Sequence, residues 1–404
     1  MANGPISVQV AWLPKTSRII QQLWVIPREE LSSVQKLKKI LISPPEISYS
    51  DIQYILNYIQ PENFFDFRHN HQFESKIAGI VGMPYVLSAQ SGTAALHLAL
   101  KVLGVKTGDT VLCQSMTFVA SANPILYERA NPVFIDSEPE TLNMDPELLE
   151  KAIQELFKKG IKPAAIIYVH TFGTPGNADE VMRIGRQYGI PIIEDAAEAL
   201  GSYYDNTPAG NFGDISVFSF NINKIISTGG GGALCSKNKK YVEKARFLAN
   251  QAKEQRQHYE HCELGYNYQL NPFAAILGKA QLPKLKHRAE KKRELHRFYF
   301  DLFKNLKNIK LIGESHKSRS NFWVNAVIFE NYDTYNSMVS LFEAFGVEVK
   351  PLWKPMHMQP LYKSYMHYLN GVSENAYRLG LFLPSGSSMT KAQRDQIEYI
   401  IKKL

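Results

Sequence analysis

Between residues 85 and 236, short and nearly continuous apolar runs alternate with longer segments of 3.6-residue period. This is the pattern of strands covered on both faces by helices. Seven strands are expected, at Tyr85–Ala89, Thr110–Gln114, 132–137, 164–170, 191–196, 214–220 and 231–236. Runs such as VFID, AIIYV and PIIED leave no polar face to turn toward water. Helices are expected over 145–159, opened by Asp145-Pro146, and over Ala178–Tyr188. The fold class is therefore α/β, a mostly parallel sheet with helices on both faces. After residue 237 the pattern changes to long helices, one over roughly 272–305, then strands at 323–329 and near 347–351, as in a smaller α+β domain. Residues 1–40 show no usable period. The expected organisation is an N-terminal extension over 1–40, a first part of the small domain over 41–75, a large domain over 76–280 and the rest of the small domain over 281–404.

Composition narrows the function classes. The chain has 404 residues, 45% hydrophobic and 21% charged, enough for a large core and more than one domain. Its net charge of +8 comes from scattered basic residues, apart from the run LKHRAEKKR at 285–293, which is expected to be a solvated helix face. Nucleic acid is not implied, and the positive balance suits anionic small molecules. Cys113, Cys235 and Cys262 lack the paired spacing of a metal site or disulfide framework, which fits a reducing, cytoplasmic setting. No metal site is expected. There is no basic-then-apolar leader and no apolar run near the roughly 20 residues that cross a bilayer, so no membrane partner is expected.

Three places carry candidate chemistry. In VLSAQSGTAALHLAL a strand passes through Ser91-Gly92-Thr93 straight into a helix, a junction whose free amides and dipole favour a phosphate. Taken alone, a Ser or Thr before an apolar helix is more often a simple helix cap. Asp195 closes the strand PIIED, at the end that faces the ligand crevice of open α/β sheets, where a carboxylate could keep a pyridine nitrogen protonated. Finally, SFNINKIISTGGGG follows a buried strand with a loop holding Lys224, five residues after Ser219, and then four glycines. A glycine run is costly unless the backbone must pass close to something, and a loop lysine held in an apolar crevice can condense with a carbonyl. Phosphate turn, aspartate and lysine, in that order, are what a cofactor with phosphate, ring nitrogen and aldehyde requires.

With these residues in hand, the chain over roughly 42–404 closely resembles the DegT/DnrJ/StrS family of nucleotide-sugar aminotransferases, of the aspartate-aminotransferase fold class. The resemblance rests on SGTAALHLAL, SMTFVASANPI, NPVFIDSEPETLNMDP, IEDAAEALGS, FGDISVFSFNINKIISTGGGGALC, LGYNYQLNPFAAILG, PLWKPMHMQP and LFLPSGSS. It implies pyridoxal 5'-phosphate as cofactor, with Lys224 binding its aldehyde and shuttling protons and Asp195 pairing with the ring nitrogen. It implies further that Gly92, Thr93 and Ser219 hold the phosphate, that Phe118 stacks on the ring, and that Glu198 contacts the ring hydroxyl. Asn267 of GYNY would reach in from a neighbouring subunit, which implies a homodimer. His357 and Lys354, in WKPMH, would lie toward the sugar, while His170 at a strand end reads as structural. The implied reaction moves an amino group, from glutamate with release of 2-oxoglutarate, to carbon 4 of a nucleotide-linked 4-keto-6-deoxy sugar, as in bacillosamine-type and perosamine-type synthases, with a UDP-linked N-acetylated sugar favoured.

Three departures bear on substrate and donor. Gln269 and Lys350 stand where arginine is common, and 61–75 lacks a glycine-rich entry. A dehydratase of the same family is the nearest alternative, but its known members carry histidine in place of the lysine. A catalytically silent relative is disfavoured by Asp195, Ser219 and Lys224 together, and a Rossmann dehydrogenase by the absence of GxGxxG after the first strand.

Overall fold

The computed structural model describes residues 39–404 apart from 59, 61, 62, 64 and 65, so the expectation for the extension over 1–40 lies, up to residue 38, outside the described residues. Residues 40–404 form one compact unit. All seven expected strands are present. They are β1 (Tyr85–Ala89), β2 (Thr110–Gln114), β3 (Asn131–Ile135), β4 (Ala165–Val169), β5 (Ile192–Asp195), β6 (Ile215–Ser219) and β7 (Gly232–Ser236). Their order across the sheet is β1-β7-β6-β5-β4-β2-β3. Pairing is parallel from β6 to β3, whereas β7 runs antiparallel to both β1 and β6. A two-residue strand, His367–Tyr368, adds an eighth member beside β3, which sequence periodicity could not announce.

The continuous apolar runs are explained by two-sided burial. All five residues of β4 are buried, Ile166 and Tyr168 joining one apolar layer while Ile167 and Val169 join the other. Each such side chain contributes roughly 1.5–3 kcal/mol relative to exposure. Helices seal both faces. One of them, Pro146–Lys158, starts because Asp145 accepts hydrogen bonds from the amides of Glu147 and Leu148, and it buries Leu149, Ala152, Ile153 and Leu156 along one stripe.

Beyond β7 the expected helix over 272–305 is two helices, Pro272–Gln281 and Leu285–Phe303, separated by one tight turn at Leu282–Lys284. Pro283 has no amide to continue the ladder. The basic run at 285–293 corrects a further expectation. It is not merely a solvated face, because Arg288 and Lys292 are buried. Arg288 donates to the carbonyls of Ile225 and Glu46, and Lys292 to those of Trp323 and Ser385. A second, wholly antiparallel sheet is built from Ile309–Leu311, Asn325–Phe329, Gly380–Leu383 and Lys350–Pro351. Among the described residues no helix is long and apolar enough to cross a membrane, and no cluster of potential metal ligands occurs.

Candidate active site

The carboxyl ends of β1, β4, β5 and β6 open on one cavity of about 320 Å³. Seven of the residues expected to act together line it: Gly92, Thr93, Phe118, Asp195, Glu198, Ser219 and Lys224.

Its floor on one side is the start of the helix Gly92–Val102. Ser91 caps that helix, its hydroxyl accepting from the Ala94 amide at 3.0 Å and its carbonyl from the Ala95 amide. The amides of Gly92 and Thr93 precede these and are the ones a phosphate could take. The glycines explain how this start reaches the sheet. A Cβ on Gly232 would sit 2.5 Å from the Ser91 carbonyl carbon, and one on Gly92 would press the Ser219 side chain at 3.2 Å. Part of the glycine run is thus a close backbone approach. Gly229 and Gly230, by contrast, meet open space.

Asp195 is buried and carries two hydrogen bonds, from the Ser121 hydroxyl at 2.7 Å and the Ala197 amide at 3.1 Å. Burial pushes its carboxyl above the ordinary value, while Ser121, Ala197 and the Lys224 charge pull the other way. A cationic ring nitrogen at this carboxylate would offset the cost of burying it. Glu198 is placed by the Phe172 amide, which donates to Oε2 at 3.0 Å, and its Oε1 accepts from Lys224 Nζ at 3.1 Å. Its carboxyl too is raised by burial, with Lys224 opposing. Lys224 leaves the turn after β6 with its side chain largely covered. Its Nζ lies 3.8 Å from the centroid of the Trp323 ring. Phe118 stands half-exposed at the mouth, 6.2 Å from Trp353. The set suits a ligand bearing a phosphate, a protonated ring nitrogen and an aldehyde: amides for the first, Asp195 for the second and an amine for the third.

Other expected residues do not join this cavity. Asn267 is exposed and bridges Asn250 in an antiparallel pair. His357 is buried and engaged, Nδ1 with the Ser115 hydroxyl at 2.7 Å and Nε2 facing Glu374 at 3.4 Å, and burial lowers its pKa. Lys354, next to it in sequence, is not among the lining residues. His170 is the structural residue that was expected, buried with Nε2 2.7 Å from Glu194. Gln269 faces a separate recess with Glu74 and Arg246, and Lys350 is an exposed partner of Glu348.

Residue patterns missed Trp323, Trp353 and Ser121, all on the cavity wall. Ser121 lies within SMTFVAS, but its link to Asp195 spans 74 positions. Trp323 offered one signal, a large aromatic at the very start of an expected strand.

A family model described as the DegT/DnrJ/EryC1/StrS aminotransferase family matches residues 45–404. The chain belongs to this family. It is an aminotransferase. Among DegT/DnrJ/EryC1/StrS relatives, it is 42% identical over 376 residues to EpsN of Bacillus subtilis (strain 168), provisionally named a pyridoxal phosphate-dependent aminotransferase; the match covers 91% of this chain and 96% of that one. It is 31% identical to the UDP-4-amino-4,6-dideoxy-N-acetyl-beta-L-altrosamine transaminase of Campylobacter jejuni subsp. jejuni serotype O:23/36, covering 90% and 98%. It is 30% identical to the GDP-perosamine synthase of Escherichia coli O157:H7, covering 91% and 98%. The crystal structure of a family aminotransferase from Brucella abortus superposes with a TM-score of 0.83 at 28% identity, covering 88% of this chain and 95% of that one.

Proposed function

We propose that this aminotransferase uses pyridoxal 5'-phosphate to carry an amino group from glutamate to carbon 4 of a nucleotide-linked 4-keto-6-deoxy sugar, for surface polysaccharide synthesis. The observation that carries the reading is the convergence of Lys224, Asp195, Ser219 and the Gly92-Thr93 helix start on one cavity. When bound, the cofactor supplies an aldehyde and an electron-withdrawing ring. The amides of Gly92 and Thr93 and the Ser219 hydroxyl would take the phosphate. Asp195, anchored by Ser121, would keep the ring nitrogen protonated, and Phe118 would cover one ring face. Glu198 would contact the ring hydroxyl. Lys224 would hold the aldehyde and, as a free amine, would take a proton at the substrate carbon and return one in the second half of the reaction.

Asn267, exposed and off its own chain's cavity, is proposed to complete the cavity of a second copy, so that the enzyme works as a homodimer. Residues 281–404, which carry the antiparallel sheet, are taken with residues 41–75 as the smaller lobe, and residues 76–280 as the cofactor-binding one. A UDP-linked, N-acetylated sugar is the favoured substrate, in keeping with the altrosamine transaminase. The perosamine synthase sets GDP as the competing choice.

The visible spectrum of purified protein with cofactor decides the first part: a band that shifts on adding glutamate supports the reading, and a protein that never takes up cofactor refutes it. Assays with UDP-, GDP- and dTDP-linked 4-keto sugars, with NMR of the product, decide the rest. An amine on carbon 3 would overturn the stated regiochemistry.

A further inference from the structure

The segment Ser320–Trp323 is built with unusual care for a connection into a strand. Phe322 has φ +47°, a left-handed conformation that a bulky side chain adopts only when its surroundings enforce it. They do so from every side. The Phe322 ring lies flat on His296, centroids 3.6 Å apart and 4° from parallel, with the Arg293 guanidinium 5.4 Å from its centre. Its amide donates to the Ser320 hydroxyl at 2.9 Å. Asn321 donates to the carbonyls of Glu198 and Leu200 at 2.8 and 2.9 Å, which ties the segment to the turn that follows Asp195.

The product of this construction is the position of Trp323. Its carbonyl is held by the buried Lys292 amine at 3.0 Å. Its indole Nε1 donates to the Asn223 carbonyl at 3.0 Å, one residue before Lys224, and the Ser43 hydroxyl holds the same oxygen at 2.8 Å. The ring face then lies under the Lys224 amine, 3.8 Å from centroid to Nζ. A cation at that distance from an indole face is attracted to it, whereas a neutral amine is not.

From this geometry we infer that Trp323 is a positioning residue for Lys224: its ring face lies against the free amine, and its indole locks Asn223, so that the amine is held at the cavity. The role attached to Lys224 rests on the proposed function; the contact with Trp323 does not. The charged groups facing the amine are Glu198 at 3.1 Å and Asp195. Behind Trp323 stand Lys292 at its carbonyl, and Arg293 and His296 against Phe322. The two carboxylates and the ring thus surround the amine from three directions.

The test is competitive acylation of the full chain freed of cofactor, near neutral pH, with mass spectrometry of the Lys224 and Lys292 peptides. Only the neutral amine reacts. Replacing the indole by an aliphatic side chain, Trp323→Leu, is expected to speed labelling of Lys224 about two- to fivefold near neutral pH, because the amine leaves the ring that holds it. Trp323→Phe keeps a ring face and is expected to fall between, and it carries the test if the leucine variant does not fold. Labelling of both variants at the wild-type rate near neutral pH overturns the inference. So does an equal rise at the buried Lys292, since general loosening of the fold would produce that. Added pyridoxal 5'-phosphate separates the two ideas: protection of wild-type Lys224 upholds the cofactor reading, and its absence refutes that reading without touching the acylation ratio.

Discussion

Two covered lysines sit on either side of Trp323, and their surroundings differ in kind. Lys224 faces a cavity, with the Glu198 carboxylate at 3.1 Å and an aromatic face beneath it. Lys292 is sealed, and its hydrogen bonds go to two backbone carbonyls, of Trp323 and Ser385. Burial pulls its pKa down to about 8. Carbonyls satisfy an ammonium's donors, yet they do not supply a full opposing charge. A group with such partners is suited to holding a loop in place. One facing carboxylates across a cavity can change partner and charge during a reaction. Burial of a titratable side chain is thus no guide to chemistry until its neighbours are named.

The comparison can be broken most decisively at Lys224. Lys224→Ala is expected to lower turnover by about a thousandfold or more and to abolish the visible band of the bound cofactor. A variant keeping both would move the reactive amine elsewhere. Asp195→Asn comes next, with cofactor affinity expected to fall about thirtyfold or more, read by equilibrium titration, because a buried charge partner is removed. Unchanged affinity would mean that Asp195 is only a hydrogen-bonded cap. Gly232→Ala tests the backbone beneath the cavity. Its new Cβ would lie 2.5 Å from Ser91, so a loss of about 1–3 kcal/mol in denaturant unfolding is expected, together with weaker phosphate binding. The smallest effect belongs to Lys292. Between about pH 8 and its ordinary value the unfolded chain holds a proton that the folded chain has released, so stability is expected to rise with pH there, by at most about 1.4 kcal/mol per unit. Lys292→Met should flatten that slope while leaving cofactor binding within about threefold.

Much of this was legible from residue order. The seven strands could be read because both faces of the sheet are covered, which forces runs such as AIIYV and leaves an unbroken signal. Lys224, Asp195 and Gly92-Thr93 could be read because each sits at the end of such a strand. What escaped depends on long-range partners. Arg288 and Lys292 belong to a run that resembles any solvated helix face, and Lys292 is made internal by carbonyls 31 and 93 positions away. Trp323 gained its place through a strained Phe322 that no propensity reveals. His357 was placed toward the sugar by the resemblance of WKPMH, and that motif does not show Ser115, 242 positions earlier, which engages its ring. The antiparallel course of β7 was equally hidden, since a buried strand reads the same in either direction.

That reversed strand governs when the cavity can come into being. Gly232 pairs with Ala89 on one side and Ser219 on the other, so a single rung joins the phosphate end of the cavity to the end that carries the amine. Ser219 is close to Gly232 in the chain, but Ala89 is roughly 140 residues away, and contacts of that separation are slow to form because so much chain must be ordered before they reward it. The cavity is therefore expected to form late in folding. A partly folded chain presents neither half in register, and uptake of cofactor during refolding should lag behind the appearance of helical structure.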